Sequence, residues 1–204
     1  ALNTNEFYLK RIHSLLGVVP LSFFLLEHVF TISRAIVGPK AFDAATAFLQ
    51  SLPLLYALEI LFIAVPLLFH GLYGIVIAFE SKNNVLAYSY ARNWNFYLQR
   101  ITAYITIAFV AWHVWLFRFG GAGLGQVTTF DKVAKIFADP VILGLHALGL
   151  VCAIFHLTNG LWTFLITWGI TAGPRAQRFS QYAAWGLFAL LSVSGLVALT
   201  YFRV

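Results

Sequence analysis

VPLLFHGLYG, residues 65–74, sets a histidine inside a run apolar enough to lie in lipid. Pro66 removes a helical hydrogen bond just before His70, and Gly71 and Gly74 strip away side-chain bulk just after it. Ionisable groups are costly in hydrocarbon and usually functional there, the plainer alternative for one histidine being a bond to a neighbouring helix's carbonyl. Whether this stretch is a membrane helix, and what the imidazole does in it, decides the fold and the chemistry together.

Composition settles the first question. Of 204 residues, 61% are hydrophobic and 10% charged, and the mean hydropathy is +0.83. Soluble domains carry roughly 25% charged residues. Twenty Phe, nine Tyr and six Trp suit a chain bathed in acyl tails with rings at the interfaces. Apolar segments run approximately over 11–33, 53–79, 96–117, 141–168 and 182–202, each near the ~20 residues a spanning helix needs. The sequence therefore predicts an all-α integral membrane protein, one domain over 1–204, with five transmembrane helices. VGPKAFDAATAFLQS, ESKNNVLAYSYARNW, GGAGLGQVTTFDKVAKIFADP and GITAGPRAQR read as the punctuation between them. Residues 130–137 have helical spacing and are expected along the interface.

Several classes fall away. Cys152 is the single cysteine, so no internal disulfide forms, and no C-x-x-C-H run exists for covalent haem attachment. The formal charge of +6 is spread thinly. Without a basic block it suits anionic lipid or anionic cofactor groups, and no nucleic-acid partner is expected. The N-terminal ALNTNEFYLKR reads as a short polar lead without a cleavable signal pattern. With the N-terminus cytoplasmic, Lys10, Arg11, Lys82, Arg92, Arg100, Arg175 and Arg178 share that side. Arg34, Lys40, Arg118, Lys132, Lys135 and Arg203 take the other, so the positive-inside rule leans slightly toward N-inside.

Six histidines carry the chemistry. At 1.5 Å rise per residue, His28 lies about 26 Å from Arg11 and His113 roughly 24 Å from Tyr97. His70 lies about 15 Å from Glu80, and His156 about 18 Å from Trp168. These four form two tiers, one from the odd helices and one from the even. In an up-down bundle of the first four helices the odd pair and the even pair are diagonal partners, so each tier holds two facing imidazoles. The same arithmetic sends His13 and His146 to opposite surfaces, outside either tier. Two imidazoles separated by a flat ring suit bis-histidine haem. Zinc would want about four N or S ligands, and the chain has no methionine for His/Met ligation. Helical repeats put Gly17 on the face of His28 and Gly149 on that of His156, while Gly74 and Gly160 follow His70 and His156 by one turn. Close helix packing would use the same glycines.

With these residues in view, a family resemblance stands out. RIHSLLGVVP, SLPLLYALEI, LFHGLYGIVIAF, SKNNVLAYSYARNW, LQRITAYITIAFVAWHVW, FHLTNGLWTFLITWGIT and GPRAQR resemble the five-helix, single-chain di-haem cytochrome b anchor of succinate:menaquinone oxidoreductases. The resemblance covers nearly the whole chain. It implies two b-type haems, with His28 and His113 on the distal one and His70 and His156 on the proximal one. It further implies flavoprotein and iron–sulfur partner subunits, electron relay to menaquinone, and a multi-pass place in the bacterial cytoplasmic membrane. Alternatives are the di-haem anchor of a fumarate reductase, hydrogenase or formate dehydrogenase, and, from another class, a haem-free scaffold or transporter. The last leaves two aligned histidine pairs unexplained.

Quinone conversion needs protons. Glu59, eleven residues before His70, is the candidate proton-transfer group, at the depth of the His28/His113 tier; an interfacial carboxylate bonded to Tyr56 or water is the plainer alternative. Glu27 adjoins His28 but points about 100° away from it. Arg11, His13, Ser14 and Arg100 are candidate contacts for haem propionates or quinone near the cytoplasmic face. Headgroup snorkelling is the competing role for the two arginines.

Overall fold

The structure is a computed structural model and describes residues 4–120 and 127–203. Those residues are helical throughout their ordered elements and include five helices long and apolar enough to cross a membrane: Thr4–Ile36, Leu55–Glu80, Ala91–Gly120, Pro140–Thr167 and Pro174–Tyr201. The protein is an all-helical membrane bundle. The first, third and fifth spans begin earlier than hydropathy suggests, at Thr4, Ala91 and Pro174. Their first turns are polar and continue the helix beyond the apolar stretch, where hydropathy is blind. The glycine-rich turn over 121–126 lies outside the described residues.

Capping sets several boundaries. Pro140 opens the fourth span at its first position, and the Asp139 carboxylate accepts the amides of Val141 and Ile142 at 2.8 and 3.4 Å. The same span stops sharply at Gly169, whose φ of +73° lets the Ile170 and Thr171 amides turn back to the Leu165 carbonyl. Pro20 breaks the first span near Val19, and Ser22 repairs part of the break by donating to the Gly17 carbonyl at 2.9 Å.

Two short helices cover the end of the bundle away from the N-terminus. Pro39–Gln50 stands where the sequence suggested only a turn, and Phe130–Phe137 stands where helical spacing was read. They meet through Phe42 and Phe130, which pack with Phe137 and Phe202 into an aromatic cluster of mostly edge-on contacts. The Asp43 carboxylate accepts the Phe130 amide at 2.7 Å, capping one helix from the other.

The spans pack in a ring. First contacts second, third contacts fourth, first contacts fourth, and second touches third least; the fifth lies outside, against the first and fourth. The first and third spans are thus diagonal across an interior, as are the second and fourth. Much of the outer surface is bare apolar side chain, such as Phe23, Phe30, Leu68 and Phe79, as lipid contact requires.

Candidate functional site

The interior holds the histidines. His28 and His113 face each other from diagonal spans with ring centroids 5.8 Å apart and planes at 82°. His70 and His156 do the same at 6.0 Å and 83°. A metal–imidazole bond is about 2 Å, and the ring centroid lies roughly 1 Å further back. Two imidazoles on opposite sides of one metal therefore have centroids about 6 Å apart. Both pairs have that spacing.

His13 and His146 do not lie apart from the tiers. The His13 ring is stacked on His70 at 4.1 Å and 5°. His146 Nε2 is 3.3 Å from His113 Nδ1. The reason is where the helices really end. Counted from Thr4, Glu80 and Thr167, His13, His70 and His156 lie about 13, 15 and 16 Å along their helices. Counted from Thr4, Ala91 and Thr167, His28, His113 and His146 lie about 36, 33 and 31 Å along. Each tier contains three histidines, not two.

In the tier nearer the N-terminus, which we call proximal, His13 and His70 pack reciprocally. A Cβ on Gly17 would lie 2.4 Å from His70 Cε1, and one on Gly74 would lie 3.0 Å from His13 Nε2. Each ring occupies the space over the glycine one turn after the other histidine. The space over Gly17 is thus taken by His70, and that over Gly149 by Phe109. His70 Nδ1 is 2.9 Å from the His13 carbonyl, and His156 Nδ1 is 3.2 Å from the Gln99 carbonyl. A carbonyl only accepts, so both Nδ1 atoms carry the proton and both Nε2 atoms keep a free lone pair. Gln99 is held in turn: its amide donates to the His156 carbonyl at 2.9 Å and accepts from Asn159 at 2.7 Å.

At this end the remaining site residues gather. Arg11 donates to the Thr167 carbonyl at 2.7 Å and lies over the Phe7 and Trp168 rings. Ser14 accepts from the Trp168 indole at 3.4 Å. Arg100 donates to the Phe96 carbonyl and to Ser81, yet its buried Nε–H has no partner among the described residues.

At the distal end Glu59 is paired with Arg118 at 2.6 Å, not with Tyr56, whose ring instead lies 5.9 Å from the guanidinium. Both members stand on π-helical turns, Glu59–Ala64 in the second span and Trp115–Gly120 in the third. The first of these leads directly into Pro66, whose missing N–H the wider turn accommodates. Beside the pair is a cleft of about 540 Å³ lined by Gln50, Leu54, Tyr56 and Arg118 among others. From sequence alone Arg118 bears only on orientation; the signal that pairs it with Glu59 is a cation and a carboxylate at the same end of adjacent spans. Glu27 accepts from Thr31 at 2.5 Å, one turn along its own helix.

Four spans enclosing opposed imidazole pairs, with a fifth packed outside them, define a transmembrane cytochrome of the helical-bundle class. The chain is 49% identical over 197 residues to the succinate dehydrogenase cytochrome b558 subunit of Bacillus subtilis (strain 168), covering 97% of each chain. It belongs to that family of cytochrome b membrane subunits. No family model matches it. A cytochrome b implies haem b, and the residues fit that group. The opposed rings have the required separation, their Nε2 lone pairs are free in the proximal tier, and Arg100 retains a buried donor suited to a carboxylate.

Proposed function

We propose that this chain is the membrane subunit of a succinate:menaquinone oxidoreductase. It anchors a flavoprotein and an iron–sulfur subunit and binds two b-type haems, one between His28 and His113 and one between His70 and His156. A b haem with two histidine ligands supplies one-electron transfer and no open iron position. What carries the reading is the pair of opposed imidazoles at each of two depths. The name of the Bacillus relative supports the complex and the cytochrome type. The protein is assigned to the bacterial cytoplasmic membrane with its N-terminus inside, which the slight basic excess supports.

Each residue then has a task. His13 and Gln99 use backbone carbonyls to hold the proximal imidazoles in the ligating tautomer. Arg100, with Arg11, Ser14 and His13, meets haem propionates by charge-assisted bonds at the cytoplasmic end. Glu59, gripped by Arg118 beside the distal cleft, passes protons to menaquinone as it is reduced there. A carboxylate at this depth in the membrane, half-buried as Glu59 is, would be costly without the arginine.

The test is spectroscopic. Purified complex should show b-type bands with two haems per chain. His70→Ala or His156→Ala should each remove the same one haem, and His28→Ala or His113→Ala the other. Two intact haems in the His156 variant would overturn the pairing.

A further inference from the structure

The distal tier differs from the proximal one in how its ligand is held. His70 and His156 both lean on backbone carbonyls, which no side-chain substitution can remove. His113 leans on another imidazole.

The hydrogen bonds around that second imidazole run in one direction. His146 Nδ1 is 2.8 Å from the Ile142 carbonyl, one turn earlier on the same helix. The carbonyl must accept, so Nδ1 carries the His146 proton and a neutral His146 presents a bare Nε2. That Nε2 faces His113 Nδ1 at 3.3 Å, so His113 donates. The donation leaves His113 Nε2 with its lone pair, turned to the interior that His28 faces. Ile142, His146 and His113 form a directed relay whose end product is one tautomer of the distal ligand.

The surroundings leave His146 little else to do. It is 3% exposed and boxed by the rings of Phe109, Trp112, Phe117 and Phe137, with centroids at 5.4, 4.7, 5.6 and 4.8 Å. A buried imidazole in an aromatic box is costly unless its nitrogens are bonded. Both are, one to backbone and one to His113. An inert filler of the same space would be Phe or Leu.

We propose that His146 is the positioning residue of the distal haem ligand. By accepting the Nδ1–H of His113 it fixes that ring's tautomer and orientation and strengthens its electron donation to iron, as hydrogen bonding of the remote nitrogen does for metal-bound histidines in general. Stronger donation stabilises the ferric state, so His146 holds the distal haem's reduction potential down. The proposal rests on the assignment of a haem to His28 and His113.

The test uses the whole complex and two substitutions. His146→Phe fills the box and removes the acceptor; His146→Gln supplies an amide oxygen near the position of Nε2. Haem stoichiometry, redox titration of the reduced bands and low-temperature electron paramagnetic resonance of the low-spin signals are recorded for each. The expected result is a raised distal potential and a shifted distal signal in the Phe variant, the proximal signal unchanged, and a smaller change in the Gln variant. Selective loss of the distal haem in the Phe variant, restored by Gln, supports the same role. Unchanged distal signals in both variants, equal shifts in both, or loss of the haem in both would overturn it, because the acceptor would then make no difference. If the parent complex itself lacked a haem dependent on His113, the two-haem assignment would fail first, and the His113→Ala spectrum distinguishes that case.

Discussion

At Gly17 an added methyl group would lie 2.4 Å from Cε1 and 2.8 Å from Nδ1 of His70, inside any permitted contact. The ring cannot yield without giving up its 2.9 Å bond to the His13 carbonyl. Gly17→Ala should therefore lower proximal haem content or shift its low-spin signal while leaving the distal haem, with an overpacking cost of about 1–3 kcal/mol. Gly74→Ala should be milder, because the neighbour there is the far edge of His13 at 3.0 Å. Full occupancy and an unshifted signal in the Gly17 variant would refute the close fit. Glu59→Gln should keep both haems and their reduction by succinate yet slow menaquinone turnover about 10-fold or more, the low end of general acid–base contributions. Glu27→Gln is the control, since its carboxylate bonds only its own helix partner among the contacts described. Normal turnover in a haem-replete Glu59 variant would move the quinone site elsewhere. The four facing histidines were legible in the sequence because rise per residue is a reliable ruler within a helix. His13 and His146 were not, because the ruler for the first and third spans was started from their apolar edges instead of their true starts at Thr4 and Ala91.

At the scale of elements, Pro and Gly mislead in one place and inform in another. VGPKAFDAATAFLQS reads as a turn on its Gly-Pro pair, yet Pro at a first helical position starts a helix as readily as it stops one. Pro39–Gln50 is that helix, and its Phe42 and Asp43 reach an element 87 residues away. No local pattern records such a partner. The Asp43 bond to the Phe130 amide replaces a cap that Thr129 does not itself supply. Asp43→Ala should thus destabilise the detergent-solubilised protein by about 1 kcal/mol, typical of a lost helix cap, and Asp43→Asn should recover most of it. Thermal unfolding of the two variants is the measurement; equal midpoints would remove the cross-helix cap from the account. The two π turns were equally invisible, since a single wide turn leaves no hydropathy signature. They matter because they carry Glu59 and Arg118 into one ion pair from two spans that otherwise touch little.

For the whole molecule, the two tiers lie one above the other along the membrane normal, and that stacking sets an order. The proximal tier shares its end with Arg11, Ser14 and Arg100, and the distal tier shares its end with the Glu59–Arg118 pair and the cleft. If soluble partners dock at the N-terminal end, electrons reach the cleft only by way of His70/His156 and then His28/His113. Removing the proximal haem should then separate two activities that are normally joined. In a His70→Ala complex that still assembles, succinate oxidation by an artificial acceptor at the flavoprotein or iron–sulfur subunit should persist near the parent rate. Menaquinone reduction should fall to background, and the distal haem should remain chemically reducible while no longer reduced by succinate. The distinction matters because a simple assembly defect would lower both activities together, and a quinone site on the cytoplasmic side, near His13 and Arg11, would leave menaquinone reduction intact. Continued reduction of menaquinone at the parent rate in the haem-deficient complex would mean that electrons do not pass the tiers in series, whatever the tiers bind.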